Sequence, residues 1–216
     1  PVEQARAEVE RQLGKPVEQM FASFEPAVAA ASLAQAHPAT LHDGRKVAVK
    51  VLRPGIERRV AEDIATMRMA ARIMHRMGPN ARRLDPKGLV ATVARSLQLE
   101  LDLRFEAAGA SELGEVMALD GHMTAPAVIW EGVGKRVLTM EWARGRPLSE
   151  ADALTQDGLD RKLLADNLTR AFLAQALDHG VFHADLHEGN LFCAAPAKLF
   201  AVHFGIIGRL GPAVRR

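Results

Sequence analysis

Asp185 ends an apolar run, VFHAD, and is followed closely by His187, Gly189 and Asn190. A carboxylate at a strand exit can orient a hydroxyl or a water for attack on a phosphoryl group. An amide five residues later can complete a Mg²⁺ shell around the phosphates. The same D-x4-N spacing also suits an ordinary hydrogen-bonded turn. Further on, H-F-G stands at 203–205, where a phosphate-handling enzyme would carry D-F-G. Lys50 is a second candidate. It lies in KVAVKVL, 46–52, where strand alternation turns Val49 and Val51 to the face opposite the lysine. A lysine held this way can reach the α and β phosphates of a nucleotide and be gripped by a carboxylate on a nearby helix. Glu106 is a candidate partner, as are Glu100 and Asp102; the bland alternative makes all four ordinary solvated charges.

Elements must hold these side chains. Residues 3–14 predict a helix ending near Gly14, and 16–24, PVEQMFASF, a short helix opened by a proline. AVAAASLAQAHPATL, 27–41, is alanine-rich and lacks the glycines of a tight phosphate loop. HDG, 42–44, is a turn, so KVAVKVL is a strand entered by a hairpin and left at RPG. Over 57–77, Val60, Ile64, Met67, Ala71, Met74 and Met77 recur at helical spacing. Residues 88–119 predict one long helix or a broken pair, with Leu89, Val93, Leu97, Leu101, Phe105 and Ala108 on one side. The methionines read as core filler. Residues 126–130 and 136–142 fit two strands around EGVGK, and a helix over about 160–179 stops at Gly180. Short strands and loops then alternate to H-F-G, with a turn at Pro196. The class is α+β without a βαβ repeat. A strand-rich first half with inserted helices joins a helical second half near 143–148.

Bulk composition narrows the field. With 216 residues, 48% of them hydrophobic, the chain can bury a real core and is no disordered tail. A net charge of +2 is small, and most of the basic excess lies between Arg45 and Lys87. That reads first as a basic surface, with an anionic membrane or a nucleic acid as sharper alternatives. Cys193 is the single cysteine, so no internal disulfide forms, which suits a reducing compartment. No apolar run approaches bilayer-spanning length and no signal peptide is visible. The chain opens on Pro1 and stops at Arg216 without a closing helix, so sequence beyond both ends is expected.

Taken together and in order, the motifs resemble the UbiB/ABC1/AarF/ADCK group of atypical protein-kinase-like proteins. The resemblance rests on AAASLAQAH (29–37), VAVKVLRPGI (47–56), ELDLRFEAA (100–108), VLTMEWARGRPL (137–148), FHADLHEGN (182–190) and FGIIGRLG (204–211), and covers nearly the whole chain. It implies a protein-kinase-like two-lobed fold with an atypical N-lobe over 1–142, carrying helical insertions, and an incomplete C-lobe from 143 to 216. It also implies residue roles. Ala29, Ala30, Ala31 and Ser32 form the loop that replaces the usual Gly-rich nucleotide loop. Lys50 is the phosphate-binding lysine and Glu106 its helix partner; Glu100 and Asp102 are the family's E-x-D pair. Met140, Glu141 and Trp142 match the hinge that meets adenine. Asp185 matches the catalytic-loop aspartate, Asn190 the metal-binding asparagine, and His203 the aspartate that holds Mg²⁺. The implied cofactors are ATP and Mg²⁺. Implied partners are a nucleotide, an isoprenoid lipid or quinone precursor and a membrane-associated biosynthetic complex, with no nucleic acid. The implied location is cytoplasmic or peripheral on a membrane.

The chain departs from that pattern. A neutral imidazole at His203 replaces a carboxylate poorly as a ligand for a hard cation, so Mg²⁺ binding is expected to be weakened and phosphoryl transfer very slow. Methyl groups on the alanine loop restrict the backbone that glycines would let close over phosphates. Gly109 stands where the family usually has Asn, and Leu186 and Glu188 replace two prolines. Arg144 occupies an often acidic position, and the family's K-x-G-Q motif is not seen. Three functional readings follow: an ABC1-like ATPase or kinase supporting ubiquinone or isoprenoid-lipid synthesis, a pseudokinase scaffold, and a small-molecule phosphotransferase of the aminoglycoside or choline kinase kind.

Overall fold

The computed structural model describes residues 2–30, 33–78, 83–150, 152–155, 158–211 and 213–214. The first half is built on a five-stranded antiparallel sheet, ordered β1 (Phe21–Phe24), β3 (Ala34–Leu41), β4 (Lys46–Leu52) and β5 (Val137–Glu141), with β2 (Ala29–Ala30) also paired to β3. Strands β3 and β4 are the expected hairpin, its turn closed by Leu41 N–H donating to Arg45 O at 2.9 Å. Register sets Lys50 opposite Ala36 on β3 and Leu138 on β5, so all three share one face. Val47, Val49, Val51 and Val137 are buried on the other face, against Ala5 and Val9 of α1 (Val2–Leu13). The alternation read from KVAVKVL therefore fixes which way Lys50 points.

Segment 16–24 does not form one helix. It divides into α2 (Val17–Met20) and β1, because four residues make a poor helix while β3 offers a ladder for the next four. The alanine-rich stretch becomes strand as well. Alanine has little β preference, but β4 pairs with every residue from Ala34 to Thr40. Ala31 and Ser32 lie outside the described residues.

Among the described residues, three α-helices are inserted between β4 and β5: α3 (Ile56–Arg76), α4 (Pro86–Glu100) and α5 (Leu103–Asp120). Helix α3 buries Ile56, Val60, Ile64 and Ala71, but Met74 and Met77, expected on the same stripe, are exposed. Leu89 and Phe105 are exposed too. Periodicity finds an apolar stripe, whereas packing covers only the part that meets a neighbour, and α3 packs chiefly on α4. The long helical stretch is broken at Asp102, whose extended backbone and carboxylate cap α5 by accepting from Arg104 N–H at 3.2 Å. Leu103 N–H donates to Lys135 O at 2.8 Å, tying the start of α5 to the turn before β5. Residues 126–130 form no regular strand: Val128 makes a single bridge to Met140 before a turn at Trp130–Gly132.

In the second half, Asp160 caps α6 (Arg161–Leu173) by accepting from Leu163 N–H at 2.9 Å. The helix widens into a π turn at Ala174–His179 and ends at Gly180, whose φ of +70° is left-handed. Strands β6 (Arg146–Pro147), β8 (Leu191–Ala194) and β9 (Lys198–Ala201) form one small antiparallel sheet. Strands β7 (Val181–His183) and β10 (Ile207–Arg209) form another. One apolar cluster unites both halves through Leu52, Leu138, Leu113, Leu164, Leu199 and Phe204. No helix of the described residues is long and apolar enough to cross a membrane.

Candidate functional site

Helical spacing carries Glu106 inward. Leu103, Glu106, Ala107, Ala110, Leu113 and Met117 form the buried stripe of α5, leaving Glu106 only 5% exposed. Such a carboxylate requires partners. Lys50 Nζ lies 2.9 Å from its Oε1 and 2.7 Å from its Oε2. Phe204 N–H donates to Oε1 at 3.2 Å, and His203 Nδ1 lies 2.8 Å from the same oxygen. His203 Nδ1 is also 3.0 Å from Lys50 Nζ, closing a triangle of strand, helix and H-F-G segment. Burial pushes the Glu106 carboxyl upward, but the Lys50 charge and the His203 contact outweigh it and hold the group near a pKa of about 2, against an ordinary 4.5.

Asp185 and Asn190 form a second cluster. Asn190 Nδ2 donates to Asp185 Oδ2 at 3.0 Å and to Asp185 O at 2.9 Å, while His187 Nε2 lies 3.8 Å from Oδ2. The loop is held beside H-F-G by backbone bonds: Val202 N–H to Asn190 O at 3.0 Å and Ala184 N–H to Ile206 O at 3.1 Å. His183, a residue with no role assigned from sequence, links the two clusters. Its Nδ1 accepts from Asp185 N–H at 3.2 Å and its Nε2–H donates to His203 O. These bonds require the neutral Nε2–H tautomer, and burial holds the imidazole below its usual pKa despite the bond to the carbonyl. The available signal was its place in a strand, alternating with Phe182.

Other expected residues distribute unevenly. Glu100 and Asp102 join Lys50, Glu106 and His203 around a cavity of about 80 Å³. Asp102 is held below the usual carboxylate range by its bond to Arg104. Asp185, Asn190, Met140, Glu141 and Trp142 do not line that cavity. Met140 lies on the Lys50 face of the sheet, opposite Ala48. Glu141 lies on the reverse face, 3.6 Å from Arg45, and Trp142 N–H donates to Lys46 O at 3.0 Å. Ala29 and Ala30 are strand residues beside Ala36 and Gln35.

The donors suit a divalent cation poorly. Mg²⁺ requires several oxygen ligands in an octahedron. His203 offers nitrogen and spends Nδ1 on the Lys50–Glu106 pair, while Glu106 Oε1 and Oε2 are already engaged. Among the described residues, no group of three or more His, Cys, Asp or Glu side chains converges as a metal site. Mg²⁺ does not fit the Lys50–Glu106–His203 cluster.

A lysine on an inner strand of the large sheet, ion-paired to an inserted helix, is the arrangement of a kinase-like fold, and that fold implies a nucleotide-binding capability. Residues 1–216 match the model of the ABC1 atypical kinase-like domain, and the chain belongs to that family. It is 40% identical to a probable protein kinase UbiB of Marinobacter nauticus, over 98% of this chain and 40% of that protein. A probable protein kinase UbiB of Xylella fastidiosa is also 40% identical, over 95% of this chain and 39% of that protein. The chain thus spans about two fifths of the length of these curated relatives. Among solved structures, Rv3197 from Mycobacterium tuberculosis in complex with erythromycin matches with a TM-score of 0.81 at 27% identity, over 97% of this chain and 52% of that one. The Rio2 kinase–ADP/Mg²⁺–phosphoaspartate complex from Chaetomium thermophilum matches at 0.50 and 16%, over 91% and 52%, a likeness of fold alone.

Proposed function

We propose that the chain is the nucleotide-binding part of a UbiB-like atypical kinase, slow or inactive in phosphoryl transfer, that serves ubiquinone or isoprenoid-lipid synthesis. The Lys50–Glu106 ion pair carries the nucleotide reading: a buried carboxylate fixes an ammonium that lines the cavity. In this reading Lys50 meets the phosphates and Glu106 positions it. Asp185 orients an acceptor hydroxyl or water, and Asn190 fixes Asp185. The cavity of about 80 Å³ is far below the ~300–1,000 Å³ of ligand pockets, so sugar and base lie outside it, along the sheet face that carries Ala48 and Lys50. Ala29 and Ala30 stand at the phosphate end, and Glu141 and Trp142 bound the adenine end. Residues 1–142 act as the upper lobe and 143–216 as part of the lower.

The biosynthetic role is what the family resemblance implies. A membrane-facing surface has its own support. Met69 and Ile73 on α3 and Met77 just beyond it stand exposed among the exposed Arg68, Arg72 and Arg76, a mixture suited to an anionic lipid surface. A second reading, transfer to a small apolar molecule, is favoured by a groove of about 530 Å³ lined by Leu168, Phe172, Leu186 and Leu191 beside the Asp185 loop, and by the erythromycin bound to the Mycobacterium tuberculosis relative.

Phosphate release from ATP in the presence of Mg²⁺ tests the impairment. The wild type is expected near background, and His203→Asp above it; robust Mg²⁺-dependent turnover by the wild type would contradict the proposal.

A further inference from the structure

The hydrogen-bond inventory around Glu106 constrains what His203 does. Lys50 carries donors only, and two of its contacts go to Glu106. His203 Nδ1 touches both the ammonium and the carboxylate, yet a ring nitrogen is either an N–H or a lone pair. A lone pair on Nδ1 would set it against Glu106 Oε1 at 2.8 Å, two acceptors in contact. An N–H there sets Nδ1 3.0 Å from the Lys50 ammonium, two donors, but the ammonium can turn its protons to Glu106, and the N–H gains a shorter, charge-assisted bond to a carboxylate that is only 5% exposed. Glu106 Oε1 then receives Lys50, His203 and Phe204 N–H, and Oε2 receives Lys50, so both oxygens are engaged. An aspartate at this position would instead bring a second carboxylate against the first. Lys50 would then be one ammonium against two carboxylates, a balance that favours a further cation.

We propose that His203 takes the place of the divalent cation, so that this chain binds a nucleoside di- or triphosphate as the metal-free anion, with Lys50 as its phosphate contact. The inference rests on the nucleotide reading above and adds to it the form of the ligand. His203 is a positioning residue here: it holds Glu106, and through Glu106 Lys50, in the geometry that a metal would otherwise have to stabilise. The site is then assembled before any ligand arrives.

The test is titration of the wild type with ADP, followed by calorimetry, with magnesium chloride in excess or with EDTA. Affinities within about twofold of one another are expected, whereas His203→Asp is expected to need the metal by about tenfold or more. Thermal unfolding with Mg²⁺ alone gives a nucleotide-free readout: no change in wild-type Tm, and a rise for His203→Asp, which a purely structural histidine would not produce. Wild-type binding seen only with Mg²⁺, or a wild-type Tm raised by Mg²⁺ alone, would overturn the metal-free site while leaving the nucleotide reading intact. No ADP binding in either arm would overturn both.

Discussion

Glu106 is the residue on which the site turns, and its protonation should be visible in stability. Its folded-state pKa of about 2 lies below the ordinary 4.5, so its contribution is fully present above pH 4.5 and is lost as pH falls toward 2. The magnitude is on the order of 3 kcal/mol. Wild type and Glu106→Gln, unfolded by urea across pH 7 to 2, should differ most at neutral pH and converge in acid. A gap that stays constant with pH would show that Glu106 is not held as a carboxylate. At this scale Lys50 was legible, because valines on both sides leave a strand lysine one direction to face. Glu106 was legible as one candidate among three. The His203 triangle was not, since it joins residues from three elements far apart in sequence, and His183 looked like any strand histidine.

Element by element, the sequence served best where a period or a stop was unambiguous: the β3–β4 hairpin, α3, and the end of the π turn at Gly180. It failed where tertiary pairing overrode local preference. Phe21–Phe24 and Ala29–Ala30 became strands because β3 supplied a ladder for each, and Met74, Met77, Leu89 and Phe105 stayed exposed because nothing in the described residues covers them fully. Close packing of α5 on the H-F-G segment leads to a further expectation. A Cβ on Gly109 would lie 2.5 Å from Ile207 Cδ1 and 3.1 Å from Phe204 O. Gly→Ala in an open helix stabilises by about 1 kcal/mol. Here Gly109→Ala should instead lower Tm, because the Phe204 carbonyl belongs to backbone that Glu106 pins. A rise in Tm would mean that α5 and H-F-G are not packed this tightly.

At the scale of the whole molecule, two small sheets, one large sheet and the inserted helices share a core, so a ligand gripping Lys50 should be felt across the Asp185 loop. Backbone bonds from Val202 to Asn190 and from Ala184 to Ile206 carry that coupling. Hydrogen exchange with and without ADP reads it directly in the unmodified protein. Segments 46–52, 103–108, 183–190 and 202–206 should gain protection together, while the exposed end of α3 near Met77 stays unchanged. Protection confined to one of these segments, or absent from the Asp185 loop when ADP is bound, would contradict a single cleft formed by both halves of the chain.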